Sequence, residues 1–208
     1  VYRLLALLLL LPAIARAELP PSLQSAAETL SSRTSVQASF TQTKNSILFM
    51  EPEVRAGRLE LRRADGRLLW LYDGEAPKIL LADGRAFPAF KSAKEAGVEG
   101  AEGYSMPGLT DLAKLMAGLV ALEPTVLDAR FVAVEAGDNR WTLTPKKAGD
   151  TAMFKTITIA VGGSPLAVTS VEMAEATGDT TVLAFEDTVL DAALDPVRFQ
   201  TPRERSTP

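Results

Sequence analysis

From Val36 to Phe185 the chain keeps returning to a two-residue hydrophobic period, and that period restricts it to strands with one dry face and one wet face. In Val36-Gln37-Ala38-Ser39-Phe40-Thr41-Gln42 apolar and polar residues alternate strictly. Arg58-Leu59-Glu60-Leu61-Arg62 repeats the alternation with charges outside. Ala64-Asp65-Gly66-Arg67 has the composition of a turn, with Arg67 solvated, and Leu68 to Tyr72 returns as the next strand. Asp73-Gly74 and Asp83-Gly84 bracket Lys78-Ile79-Leu80-Leu81, so four or five strands follow one another as an antiparallel meander. A second series covers Arg130 to Glu135, Arg140 to Pro145, Phe154 to Val161, Leu166 to Ala174 and Thr180 to Phe185. Gly137-Asp138, Gly149-Asp150, Gly162-Gly163 and Gly178-Asp179 punctuate it at turn-like intervals.

Two segments break the period. Ser22 to Arg33 reads as a helix entered through Pro20-Pro21, with Ser22 as its N-cap and Leu23, Ala26, Ala27 and Leu30 on one face. Leu109 to Val120 reads as an amphipathic helix whose stripe is Leu109, Leu112, Leu115, Met116 and Leu119. Between the two strand series, Lys91 to Pro107 is glycine-rich and aperiodic, a loop or an irregular helix. The expected class is therefore α+β, one large antiparallel sheet with helices at its start and middle. About ten strands with one apolar face must curl, pair with a second sheet or be covered. Aromatic residues make up only 6% of the chain, so few large rings are available to fill the inside, and composition leaves a tight sandwich and a hollow open.

The N-terminus predicts the compartment. Arg3, the apolar run Leu4 to Leu11, and the Ala15-Arg16-Ala17 ending describe a secretory signal peptide, 1–17, cleaved after Ala17, with a single domain over 18–208. The run is shorter than the roughly 20 apolar residues that span a bilayer. With no cysteine there is neither a lipid-anchored Cys nor a disulfide, so the processed chain is expected to be soluble in the periplasm. Cleavage removes two arginines and no acid, which takes the net charge of −4 two units lower and disfavours nucleic acid. With no histidine, imidazole-based catalysis and His-containing metal sites are excluded. Neither a catalytic site, a metal site nor a cofactor is expected.

The segments resemble, in order, the LolA family of outer-membrane lipoprotein carriers. The likeness runs through Val36 to Gln42, Gly57 to Arg63, Leu69 to Tyr72 and Leu81 to Gly84. It resumes in Trp141 to Lys146, Phe154 to Ile159 and Asp195-Pro196-Val197-Arg198-Phe199-Gln200-Thr201-Pro202. It implies an unclosed β-barrel lidded by the mid-chain helix, holding acyl chains between sheet and lid. The family's lid-gating arginine corresponds to Arg63. Period two places Arg63 on the face of Leu59 and Leu61, unless the strand ends at Arg62 and Arg63 is a solvated turn residue. The cavity lining implied is Phe40, Leu59, Leu61, Leu68, Trp70 and Leu80 from the sheet, with Leu112, Leu115, Met116 and Leu119 from the lid. Its implied partners are lipoprotein acyl chains, an inner-membrane donor complex and an outer-membrane acceptor, with the carrier a monomer.

The chain departs from the family pattern at Ala64, where a proline is usual, and in an aromatic stretch reduced to Phe87 and Phe90. The insert Asn45 to Val54 adds an apolar cluster, Ile47-Leu48-Phe49-Met50. These departures describe a divergent relative and leave another lipid, a glycolipid or aryl-polyene precursor, as the alternative cargo. A carboxylate-based periplasmic hydrolase and a scaffold recruiting partners to a free sheet edge are the readings from other classes.

Overall fold

A computed structural model of the chain describes residues 19–74, 78–88, 107–147, 149, 153–201 and 203–204. The expected leader, the 91–106 segment and Phe90 lie outside the described residues. The first helix, α1 (Pro21–Ser31), leads into β1 (Ser35–Asn45), β2 (Glu53–Arg62), β3 (Arg67–Tyr72), β4 (Lys78–Ala82) and β5 (Arg85–Pro88). Two helices follow, α2 (Pro107–Val120) and α3 (Pro124–Arg130). The chain then forms β6 (Phe131–Glu135), β7 (Arg140–Pro145), β8 (Phe154–Gly162), β9 (Ala167–Glu175) and β10 (Thr180–Leu190), and closes with a single 3₁₀ turn, Pro196–Phe199.

All ten strands belong to one antiparallel sheet in the order β5-β4-β3-β2-β1-β10-β9-β8-β7-β6. Each half is a meander of sequential hairpins, and the two are joined where β1 pairs with β10. No described residues pair β5 with β6, so the sheet is an unclosed barrel. Its curl follows from what its two halves share: residues of β3 and β4 face the same space as residues of β8, β9 and β10, with α2 between them. Bending of this kind is eased by a bulge where β1 shifts register between Gln37 and Ser39 against β10, with Asp187 in the left-handed region at φ 50°.

The elements form where local chemistry favours them, with two corrections to the expected start and turn. Ser22 does not cap α1: the cap position is Pro20, Pro21 takes the first turn, where a missing N–H is harmless, and no side chain caps the helix. Ser22 lies inside the helix, where its hydroxyl donates to Glu135 Oε1 (2.5 Å) and accepts from the Trp141 indole N–H (2.9 Å). It thereby ties α1 to the far meander. The second correction concerns Arg67, whose side chain is only 11% exposed. It donates to the Phe199 carbonyl (2.9 Å), to both Glu204 carboxylate oxygens (2.8 and 2.9 Å) and to Asp83 (3.1 Å). These hydrogen bonds hold the Glu204 carboxyl down at about 2.

The residues fixed by Arg67 form a strap over the outer face of β2–β5. Beneath it lies a small second core of Leu69, Leu80, Ala82, Phe87 and Phe199. The strap also covers Glu60, which is 1% exposed and accepts a hydrogen bond from Arg198 (2.5 Å). Around Glu60, Leu69, Leu80 and Phe87 both faces of the sheet are thus dry, which the period-two pattern alone does not reveal.

Removing one partner of a buried charge leaves the other unpaired, at a cost of about 1–3 kcal/mol. Arg198→Ala is therefore expected to lower unfolding stability by that amount in urea titrations. Adding Glu60→Leu is expected to recover part of the loss, because the stranded carboxylate is gone; a strictly additive further loss would contradict the assignment.

Candidate functional site: an apolar cavity beneath a helical lid

On the inner face the register sets which side chains point toward the helices. Phe40 of β1 lies opposite Gly57 of β2, and a Cβ at Gly57 would stand 2.6 Å from the Phe40 ring and 2.4 Å from the Leu71 carbonyl oxygen. Glycine at 57 thus makes room for the ring. Phe40 then stacks at 4.6 Å on Trp70 and meets Tyr72 edge-on at 5.3 Å. The Tyr72 hydroxyl donates to Gln42 Oε1 (2.5 Å), and burial raises its pKa above the ordinary phenolic value.

The inside of the curl is packed at one end and hollow at the other. At the packed end Leu23, Leu30, Val36, Leu59, Leu61, Leu115, Leu119, Leu122 and Leu127 are buried in one continuous core under the three helices. Gly118 of α2 lets α3 come close; a Cβ there would meet Val126 at 2.7 Å. Toward the other end a cavity of about 540 Å³ opens between α2 and the sheet. Its sheet wall comes from both meanders: Leu68, Trp70, Tyr72, Ile79 and Leu81 on one side, Phe154, Met173 and Leu183 on the other. Leu112, Ala113 and Met116 of α2 form the roof. Gln42, Lys44, Glu175, Thr177 and Thr181 bring the polar groups together on the rim, with Met153.

Of the ten residues expected to line a cavity, Leu68, Trp70, Leu112 and Met116 do so. Phe40, Leu59, Leu61, Leu115 and Leu119 are buried in the adjoining packed core instead. Leu80 is a correction. It pairs with Leu69 and faces the outer core beneath the strap, while its neighbours Ile79 and Leu81, opposite Trp70 and Leu68, face the cavity. The residues that sequence reasoning left out are chiefly Met173 and Leu183, each inward in the alternation of its own strand. That alternation was the signal available to find them.

Arg63 follows neither sequence reading completely. The strand ends at Arg62, yet the Arg63 side chain is only 12% exposed. Its guanidinium donates to the Ala121 carbonyl, just past the last residue of α2, and lies 3.6 Å from the Glu123 carboxylate. A helix C-terminus leaves its last carbonyls unpaired and carries partial negative charge, so a cation is well placed there. Burial lowers the Arg63 pKa from its ordinary value, and the Glu123 charge opposes that shift. The lid is thereby tied to the end of β2 at its packed end, away from the cavity.

The chemistry the cavity offers is burial. Glu175 is the one carboxylate among its described lining residues, and it is paired with Lys44 at 3.2 Å. Among the described residues no group of three Asp or Glu side chains is placed to hold a metal ion. No described helix is long and apolar enough to cross a membrane.

The family model of the outer membrane lipoprotein carrier protein LolA matches residues 31–202. No curated protein matches the chain. Among solved structures, a LolA superfamily protein from Nitrosomonas europaea is 11% identical, with 86% of this chain and 98% of that one covered and a TM-score of 0.46. The MucA/MucB complex of Pseudomonas aeruginosa gives 17% identity, 88% and 60% coverage and a TM-score of 0.48. The lipoprotein LppX of Mycobacterium tuberculosis gives 10%, 84% and 95%, and 0.45. The kinship rests on the family match, which spans most of the chain.

A hydrogen bond from a charged donor contributes about 1.5–3 kcal/mol, or roughly ten- to a hundredfold in a local opening equilibrium. In Arg63→Leu, amides in the last turn of α2 and in α3 are expected to exchange hydrogen faster by that factor, with β8–β10 unchanged. Uniform acceleration across the molecule would show that Arg63 supports the whole fold and not the lid.

Proposed function

Because the chain belongs to the LolA family of outer membrane lipoprotein carriers, we propose that it takes up the acyl chains of lipoproteins in the cavity under α2. It would carry them through the periplasm from an inner-membrane donor complex to an outer-membrane acceptor, as a monomer. The single observation that carries this reading is the apolar hollow, walled by both meanders and roofed by one face of α2.

Energetics say why such a hollow is needed. Each methylene moved from water to an apolar site gains about 0.8 kcal/mol, so a chain of about 16 carbons is held in a bilayer by roughly 12 kcal/mol. Crossing an aqueous gap unaided is negligible at that cost. A carrier must offset most of it and still let go, which a fully packed core does not allow. Here Arg63 acts as the lid-gating residue: its hydrogen bond to Ala121 favours the lid-down state and is given up when cargo raises α2. A few kcal/mol held in polar contacts is small enough to be exchanged on loading and regained on release.

A second reading, a LolA-like carrier of another lipid such as a glycolipid or aryl-polyene precursor, is favoured by the size of the hollow. If a methylene takes about the 30 Å³ share of a liquid water, the cavity of about 540 Å³ seats one long chain with the lid down. A cargo with several chains requires the lid to rise further. A hydrolytic role draws little support, since Glu175 is engaged with Lys44.

Mass spectrometry of the organic extract of protein purified from its own periplasm tests the proposal. The expected result is an acylated molecule in near-equimolar amount, either a lipoprotein or a free lipid, which decides between the two cargoes. In reconstituted transfer, Arg63→Leu is expected to change loading or release with the fold intact. Protein that emerges empty and accepts no acyl chain from donor membranes would sink the carrier reading.

A further inference from the structure

The hairpin between β1 and β2 ends in Ile47-Leu48-Phe49-Met50, four large apolar residues in a row that are 71%, 82%, 74% and 103% exposed. Consecutive exposure on this scale is unusual on a water-soluble surface, where large apolar side chains stand singly. The tip is not a loose end. Asp179, at the β9–β10 turn, accepts hydrogen bonds from the Ile47 N–H (3.0 Å) and the Ser46 hydroxyl (3.1 Å). The Leu48 N–H donates to the Ser46 hydroxyl (3.3 Å) and the Phe49 N–H to the Ser46 carbonyl (3.2 Å). Lys44 lies 3.5 Å from Asp179 and 3.2 Å from Glu175, fixing the same support.

We propose that this tip docks the protein on a lipid bilayer by inserting into its interfacial layer, with the cavity rim turned toward the membrane. Three observations favour a bilayer over a groove on a protein. First, the four side chains are all exposed, so they present no single face; a groove reads a face, whereas a bilayer accepts apolar groups from every side. Second, three successive backbone N–H groups at the tip have acceptors within the protein, which is what a segment leaving water requires. Third, the tip adjoins the cavity rim. Lys44, Glu175 and Thr177 line the cavity, Ile47 packs beside Gly178, and Met153, a rim residue that is itself 41% exposed, accepts from the Ala176 N–H (3.0 Å).

Charge narrows the surface further. Around the tip stand Glu51, Glu53, Glu175 and Asp179 against Lys44 and Arg55, so acids outnumber bases. Attraction to anionic headgroups is therefore absent, and binding rests on apolar insertion. The bilayer recognised is a zwitterionic one, and added salt has little effect on the affinity. This inference stands on the tip and does not require the cavity to carry lipid.

Flotation of the chain from Glu18 onward with phosphatidylcholine vesicles tests it. The unaltered chain should float with the vesicles, and anionic lipid added to them should not increase the bound fraction. The double substitution F49E and M50E, both at exposed positions, should lower partitioning at least tenfold with an unchanged circular dichroism spectrum. Ala113→Trp, which fills the cavity, should float as before, so that failure of docking and failure of carriage are told apart. Because the chain has no cysteine, F49C can carry a single environment-sensitive dye, whose emission should shift to the blue on vesicle binding. Absence of flotation, flotation without that shift, or binding only to vesicles that contain membrane proteins would each overturn the proposal, the last in favour of a protein groove.

Discussion

Among the described residues, the inner face of a ten-stranded sheet carries more apolar surface than α1, α2 and α3 cover, and the described molecule is arranged around that mismatch. The curl brings the two meanders toward each other, and α1, α2 and α3 complete a close-packed core at one end. At the other end, among the described residues, α2 is the helix that roofs the gap, over a cavity of about 540 Å³. An interior at native density would have no room for a guest. Among the described residues the packed end is closely filled, and the hollow lies at the other end, beneath α2.

That division also explains where the polar contacts sit. Arg63 ties the end of α2 to β2 at the packed end, while the walls of the cavity at the other end are mostly apolar side chains such as Leu68, Leu81, Met116 and Leu183. Over the cavity α2 rests on apolar side chains, so few hydrogen bonds besides the Arg63 contact hold it to the sheet among the described residues. The outer face is treated in the opposite way. Arg67, Arg198 and Glu60 fasten the C-terminal strap over β2–β5 through several charged hydrogen bonds, making that face a fixed wall.

The architecture was legible in the sequence because it is written in local signals: the two-residue period, the Asp-Gly turns and the stripe of the mid-chain helix. The lining was legible only in part. Ile79-Leu80-Leu81 has no polar residue to set its phase, because the strap makes the outer face dry as well, and that cover comes from residues more than a hundred positions away. The same distant segment turns Arg67 from a turn residue in water into a buried clamp. Ser22 was misread as a cap for a related reason: its partners, Glu135 and Trp141, lie across the sheet. Helix α3, seven residues long, is too short to display a period, although Glu123-Pro124 marks its start.

The central claim is that an acyl chain occupies the space beside Trp70. The chain has two tryptophans: Trp70 lines the cavity, while Trp141 is buried in the packed core with its indole bonded to Ser22. In a Trp141→Phe background, titration with a fatty acid brominated along its chain reports on Trp70 alone, because bromine quenches only at contact. The account predicts saturable quenching near one chain per protein. Unquenched emission at saturating ligand, with the protein folded, would contradict it.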